Sequence, residues 1–227
     1  MSHTQRSKEP KWRRLPEERP QQIIEAALEV FGEHGLESGR LDDVARRAGV
    51  AKGTIYLYFP NKEDLFREMI RQTVVARLDV AEQQVGALTG TATEQLREYI
   101  HQWWHFLCSP AFQTIYRLVH AELHRFPELA QFYAQNVVAR SHRIVAGLIQ
   151  RGVDSGEFRP IDCEASARIL AMLLISHSVL MGKRQLFKPP AAFSGEQVLE
   201  QVTDFYLHAL RAHPAPASGA RPEHDTP

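Results

Sequence analysis

A lysine, a glycine, a threonine and two tyrosines fall close together in this chain, as Lys52, Gly53, Thr54, Tyr56 and Tyr58. An ammonium, a hydroxyl and two phenols are groups that bind phosphate oxygens and the edges of bases in a major groove. Their spacing allows them to act together. On a helix, Ile55 and Phe59 lie four apart, share one face and anchor it against Leu28 and Phe31, which turns the other five outward. Just before them, Gly49-Val50-Ala51 separates two short helical stretches, Leu41 to Ala48 and Lys52 to Phe59. That is the spacing of a helix-turn-helix. Gly49 can take the positive φ that a sharp turn needs. Val50 plugs the angle between the helices, while Val44, Ala45 and Ala48 are small enough for close approach. Gly53 removes a side chain where a helix N-terminus, itself favourable to phosphate, would meet a nucleic-acid backbone. Taken singly, the tyrosines would be packing residues and the lysine a solvated charge; the turn and the spacing give them a common purpose.

Other chemistry is thinly represented. His101/His105 and His120/His124 are spaced four apart, but a zinc site needs further ligands and a second shell. There is no HExxH, no CxxC, no Gly-rich phosphate loop and no nucleophile elbow. No metal, cofactor or catalytic centre is expected. The only two cysteines, Cys108 and Cys163, form no disulfide framework, so a reducing cytoplasm fits. The N-terminus has no apolar core of a signal peptide. The apolar stretch around Ile169 to Met181 is interrupted by Ser176, His177 and Ser178, and reads as too short to span a membrane. Net charge is zero, so charge distribution must carry any affinity for DNA. Arg6 to Arg19 holds six basic residues against three glutamates, a modest basic arm.

The periodicity is helical from Pro20 onward, and an all-α fold of about nine helices is expected. Gly35 ends the first helix as a left-handed cap, Pro60 stops the third, and Asn61 with Asp64 caps the fourth, which continues to about Val85. Longer helices follow: one carrying Trp103 to Leu107, then Phe112 to His124, Pro127 to Ser155, Asp162 to about Lys183, and Ser194 to Ala212 after a loop with Pro189 and Pro190. The expected division is a flexible arm over 1–19, a DNA-binding domain over 20–66, a larger body over 67–212 and a disordered Pro/Ala/Ser-rich tail over 213–227.

The stretch from Leu41 to Leu65, LDDVARRAGVAKGTIYLYFPNKEDL, with the preceding IIEAALEVFGEHG from Ile23 to Gly35, resembles the tetracycline-repressor (TetR/AcrR) family. The resemblance implies a three-helix DNA-binding head, a ligand-binding and dimerising body, and transcription controlled by a small molecule. Carried over, Lys52, Gly53, Thr54, Tyr56 and Tyr58 take the recognition-helix positions, and Lys62 a position that touches phosphate. Where the family has a Thr or Ser capping the second helix, this chain has Gly39-Arg40. Arg40 could still reach a phosphate, and Ser38 is the substitute cap. Leu57 is a second departure, suited to a thymine methyl or to packing.

In the body, the aromatic middle helices supply bulky walls for a cavity, with polar points from Tyr116, His120, His142 and His177. Candidate pocket residues are Trp103, Trp104, Leu107, Phe112, Tyr116, His120, Tyr133 and His177, for an apolar or aromatic small molecule. Cys163 to Met181 is apolar almost all round, which calls for partners on both sides. With the last helix it would make the family's four-helix interface between two copies, and a homodimer also suits two half-sites on double-stranded operator DNA. The expected function is a dimeric repressor released from its operator by an effector. The rival classes are an activator with the same contacts, and a helical enzyme or binding protein that uses the head structurally.

Overall fold

The computed structural model of the chain describes residues 19–86, 89–183 and 194–212. The expected basic arm (Arg19 apart), the Pro189-Pro190 loop and the C-terminal tail lie outside the described residues. Among the described residues the regular structure is helical, with one isolated antiparallel bridge between Phe158 and Arg211. The helices are α1 (Arg19–Ser38), α2 (Leu41–Ala48), α3 (Lys52–Tyr58), α4 (Lys62–Ile70), α5 (Ala76–Val85), α6 (Ala92–Leu107), α7 (Pro110–Glu122), α8 (Pro127–Tyr133), α9 (Ala139–Asp154), α10 (Cys163–Gly182) and α11 (Gly195–Leu210). A π turn, Arg71–Val75, joins α4 to α5, and another, Ala134–Val138, joins α8 to α9. These two joins give the long fourth and seventh helices that the periodicity led one to expect.

Contacts divide the chain into two compact units. The first takes the described residues up to Thr73 together with Thr114–Phe132. Its core is the face of α1 bearing Ile23, Ile24, Ala27, Val30 and Phe31, packed on α2 and α4. Leu41 and Val44 of α2, Ile55 of α3 and Leu65, Phe66, Met69 and Ile70 of α4 close it. This unit runs past the boundary expected at residue 66, because Met69 and Ile70 are fully buried. Residues 114–132 join it through α1: Arg117 donates to the Gly32 carbonyl at 2.6 Å, and Arg125 pairs with Glu37. Gly35 has positive φ (80°), as expected, but its ψ of 166° lies outside the left-handed helical region. The chain turns there and resumes a helical turn to Ser38, and the carboxylate of Glu122 accepts the freed N–H groups of Leu36 and Glu37 at 2.8 and 2.5 Å.

The second unit comprises the described residues of Val74–Gln113 and those from Tyr133 onward. Helix α9 packs on α5, α6 and α10, and α11 packs on α6 and α10. The start of α6 carries a capping box between Thr91 and Glu94. It is capped a second time by Glu157, which accepts from the N–H groups of Ala92 and Thr93 at 2.8 and 3.0 Å and from the Thr93 hydroxyl at 2.9 Å. Partial burial opposes the charge on Glu157, yet these donors together hold its carboxyl below the usual carboxylate range. Arg140 ties α9 to α5 through Asp79 and Glu82, both at 2.6 Å, and the Tyr206 hydroxyl ties α11 to the Ser166 carbonyl of α10 at 2.6 Å. Helix α10 has 20 residues and is long and apolar enough to cross a membrane, contrary to the sequence expectation that it is too short. Ser176, His177 and Ser178 do not break it. It buries Ala167, Leu170 and Leu174 within the unit and leaves Ile169, Met172 and Leu180 exposed.

Candidate DNA-binding face and effector cavity

The turn between α2 and α3 is built as its residue types require. Gly49 caps α2 in the left-handed region (φ 66°, ψ 31°), and its N–H and that of Val50 return to the carbonyls of Arg46 and Ala45. Ile55 and Phe59 are buried, so α3 is pinned by that face. Lys52, Gly53 and Tyr56 are exposed, Thr54 and Tyr58 partly so. A Cβ added at Gly53 would meet nothing within 4 Å, so the molecule's own packing does not demand glycine there. Leu57 is 80% exposed, which speaks against packing as its role.

The charges around α3 are mostly engaged. Lys52 Nζ lies 2.8 Å from Asp42 Oδ2, and that hydrogen bond, against the opposing effect of burial, lowers the Asp42 carboxyl below its usual range while it raises the lysine's. Arg46 pairs with Asp43, and Arg47 bridges Glu29 and Glu33. Lys62 donates to the Glu37 carbonyl. Arg40 is exposed and forms no ion pair among the described residues. Its backbone, not a side chain, caps α2, and Ser38 ends α1 without capping α2. The expected substitute cap at Ser38 is therefore not made, and α2 begins with acidic Asp42 and Asp43 instead, which suit a helix N-terminus.

In the second unit, a cavity of about 110 Å³ is lined by residues of α5, α6, α9 and α10, with Phe112 and Tyr133. Its walls are apolar, Leu78, Val145, Leu170 and Leu174 among them. Of the residues expected to form a pocket, Trp103, Leu107, Phe112 and Tyr133 meet on its wall. Trp104, Tyr116, His120 and His177 do not line it. Trp104 is buried, but one residue along a helix turns the side chain by about 100° and so away from the face that Trp103 occupies. Tyr116 stacks its ring 4.1 Å from that of His120 in the first unit, and the His177 ring bonds to the Leu173 carbonyl at 2.7 Å. Tyr99, Ser141 and His142 supply the polar points. Burial and the positive charge of Arg168 lower the His142 pKa, favouring the neutral ring. Sequence reasoning had His142 among possible polar groups but missed Tyr99 and Ser141; their helical phase relative to Trp103 (−4) and Tyr133 (+8) carries the signal. Among the described residues no group of three or more His, Cys, Asp or Glu could hold a metal.

Residues 23–69 match the tetR family of bacterial regulatory proteins, and residues 94–212 match the C-terminal domain of AefR-like transcriptional repressors. The chain belongs to the tetR family. Relatives include a fatty acid metabolism regulator protein of Bacillus subtilis, 31% identical over 64% of this chain and 74% of that protein. Another is the transcriptional repressor KstR2 of Mycolicibacterium smegmatis, 26% identical over 86% of this chain and 92% of that one. Among solved structures, FadR of Bacillus subtilis in complex with stearoyl-CoA has the same fold, with a TM-score of 0.70 and 23% identity over 84% of this chain and 99% of that one. This tetR-family protein is a transcriptional repressor with a DNA-binding N-terminal unit and a ligand-binding C-terminal domain, and not an enzyme. Membership disposes of the rival that used the head only structurally.

Proposed function

We propose that the protein is a cytoplasmic homodimeric repressor that grips its operator with the outer face of α3 and releases it when an apolar effector fills the cavity of the second unit. The observation that carries the DNA contact is the face of α3 itself: Lys52, Thr54, Tyr56 and Tyr58 reach outward around Gly53, where the protein's own packing leaves open space. Tyr56 and Thr54 would read base edges, Leu57 a thymine methyl, and Lys52, Arg40 and Lys62 phosphates. Lys52 exchanges Asp42 for a phosphate on binding. Lys52 is exposed and Asp42 partly so, and an ion pair open to solvent on one side is a weak one to give up.

Support for the homodimer comes from the unpartnered apolar residues of α10 and α11: Met172 is 72% exposed and Phe205 68%. A second copy, bringing the same two helices across a two-fold axis, covers them and presents two heads to two half-sites. An effector with a long apolar portion is supported by the lining of the cavity, by the relative that regulates fatty acid metabolism and by stearoyl-CoA in the FadR structure. Such a ligand releases DNA by favouring the arrangement of the two heads whose spacing misfits the operator. Gel-shift with DNA from upstream of the protein's own gene tests this. The wild type gives a salt-sensitive, sequence-selective shift, Tyr56→Ala loses it, and stearoyl-CoA reverses it. A shift that Tyr56→Ala retains in full overturns the assignment of α3.

A further inference from the structure

The cavity is small for the ligand just proposed. A void of about 150 Å³ accommodates one benzene ring, and this one has about 110 Å³, so anything longer must extend out of it. Two narrow clefts, of about 30 and 10 Å³, lie between α5 and α6 and share walls with it. Trp103 lines the cavity and the larger cleft, and Tyr99 lines the cavity and the smaller one. The two rings lie against each other, tilted by 37° with centroids 5.7 Å apart, so together they form the partition. Tyr99 is 6% exposed as a residue, and its hydroxyl makes no hydrogen bond to the described residues and is not fully buried. A hydroxyl left open on a cavity wall is available to an acceptor that is not part of the protein. Burial pushes its pKa far up, so it stays a donor.

The cleft's outer rim is polar and unevenly charged. Arg77 sits 5.7 Å over the Phe106 ring and forms no ion pair among the described residues. Glu98 flanks the smaller cleft, its carboxylate accepting from Gln102 at 2.7 Å. An anionic head is repelled at the Glu98 end and drawn to the Arg77 end. Only a chain-thin ligand passes clefts this narrow.

We infer that the effector is a linear amphiphile that reaches the cavity between α5 and α6, with its tail inside, an acyl oxygen accepting from Tyr99 and its anionic group beside Arg77. Trp103 is the wall that moves to admit it. This rests on the effector reading above and adds the ligand's class, its anchor and its path. The shared chemistry is an acyl oxygen between a tail and a negative charge, which a free fatty acid and an acyl thioester of coenzyme A both offer.

Calorimetry and stopped-flow tryptophan fluorescence with decanoic acid and with decanoyl-CoA test it on the full chain. The wild type binds at least one probe. Tyr99→Phe, which removes a hydroxyl the protein does not use, binds it about tenfold more weakly with unchanged melting temperature and operator affinity. Ala81→Trp fills both clefts without touching the cavity lining and slows association at least tenfold. Preference for decanoic acid means that the negative charge is the carboxylate itself; preference for the thioester places it beyond the acyl oxygen. The inference is overturned if neither probe binds the wild type, if Tyr99→Phe binds as tightly, or if Ala81→Trp associates as fast. Release of DNA by another apolar compound in those cases leaves the effector reading standing and this one refuted.

Discussion

Gly49 and Gly53 stand four residues apart and are glycine for opposite reasons. Gly49 needs its backbone conformation: φ is 66°, and no neighbour would touch a Cβ there. Gly49→Ala should therefore lower stability by about 1–2 kcal/mol through backbone strain alone, read as a fall in the thermal unfolding midpoint; an unchanged midpoint would show the turn to be more permissive. Gly53 has helical backbone and the same open space, so neither strain nor crowding explains it. Both were legible as residue types at a fixed spacing. Glu122 was not. Its bonds to Leu36 and Glu37 span 86 and 85 residues, and nothing local marks it as the cap of α1's last turn.

At the scale of elements, periodicity located the helices, and four of them also carry a strong punctuation mark at the start. Asn61, Thr91, Asp162 and Ser194 all accept from an N–H three residues on. It located the cavity poorly. Aromatic content drew attention to Trp104 and Tyr116, whereas the phase of each helix against its neighbours decides which ring faces inward, and phase between helices is a tertiary property. Helix α10 shows the same limit. Its apolar circumference was plain, but which half is buried was not: Leu170 and Leu174 turn inward, Ile169 and Met172 outward. If a second copy covers the outward half, Met172→Lys buries an unpaired charge and should convert a dimer to a monomer in sedimentation velocity, with helicity retained. A variant that sediments as a dimer would move the interface elsewhere.

For the whole molecule, zero net charge leaves no general attraction to DNA, so affinity must be concentrated where cations and open backbone meet. Most basic residues near α3 are already paired, which makes the local geometry of its N-terminal end the deciding feature. The most direct measurement is therefore operator affinity against stability in Gly53→Leu. Leucine is a better helix former than glycine and its Cβ would meet nothing within 4 Å in the free protein, so the melting temperature should hold or rise. On DNA the same side chain would occupy the space of the phosphate backbone. Fluorescence anisotropy with upstream DNA should show affinity reduced by about a hundredfold, the loss of the contacts that set register. Undiminished affinity in a fully stable variant would contradict the placing of α3 against DNA.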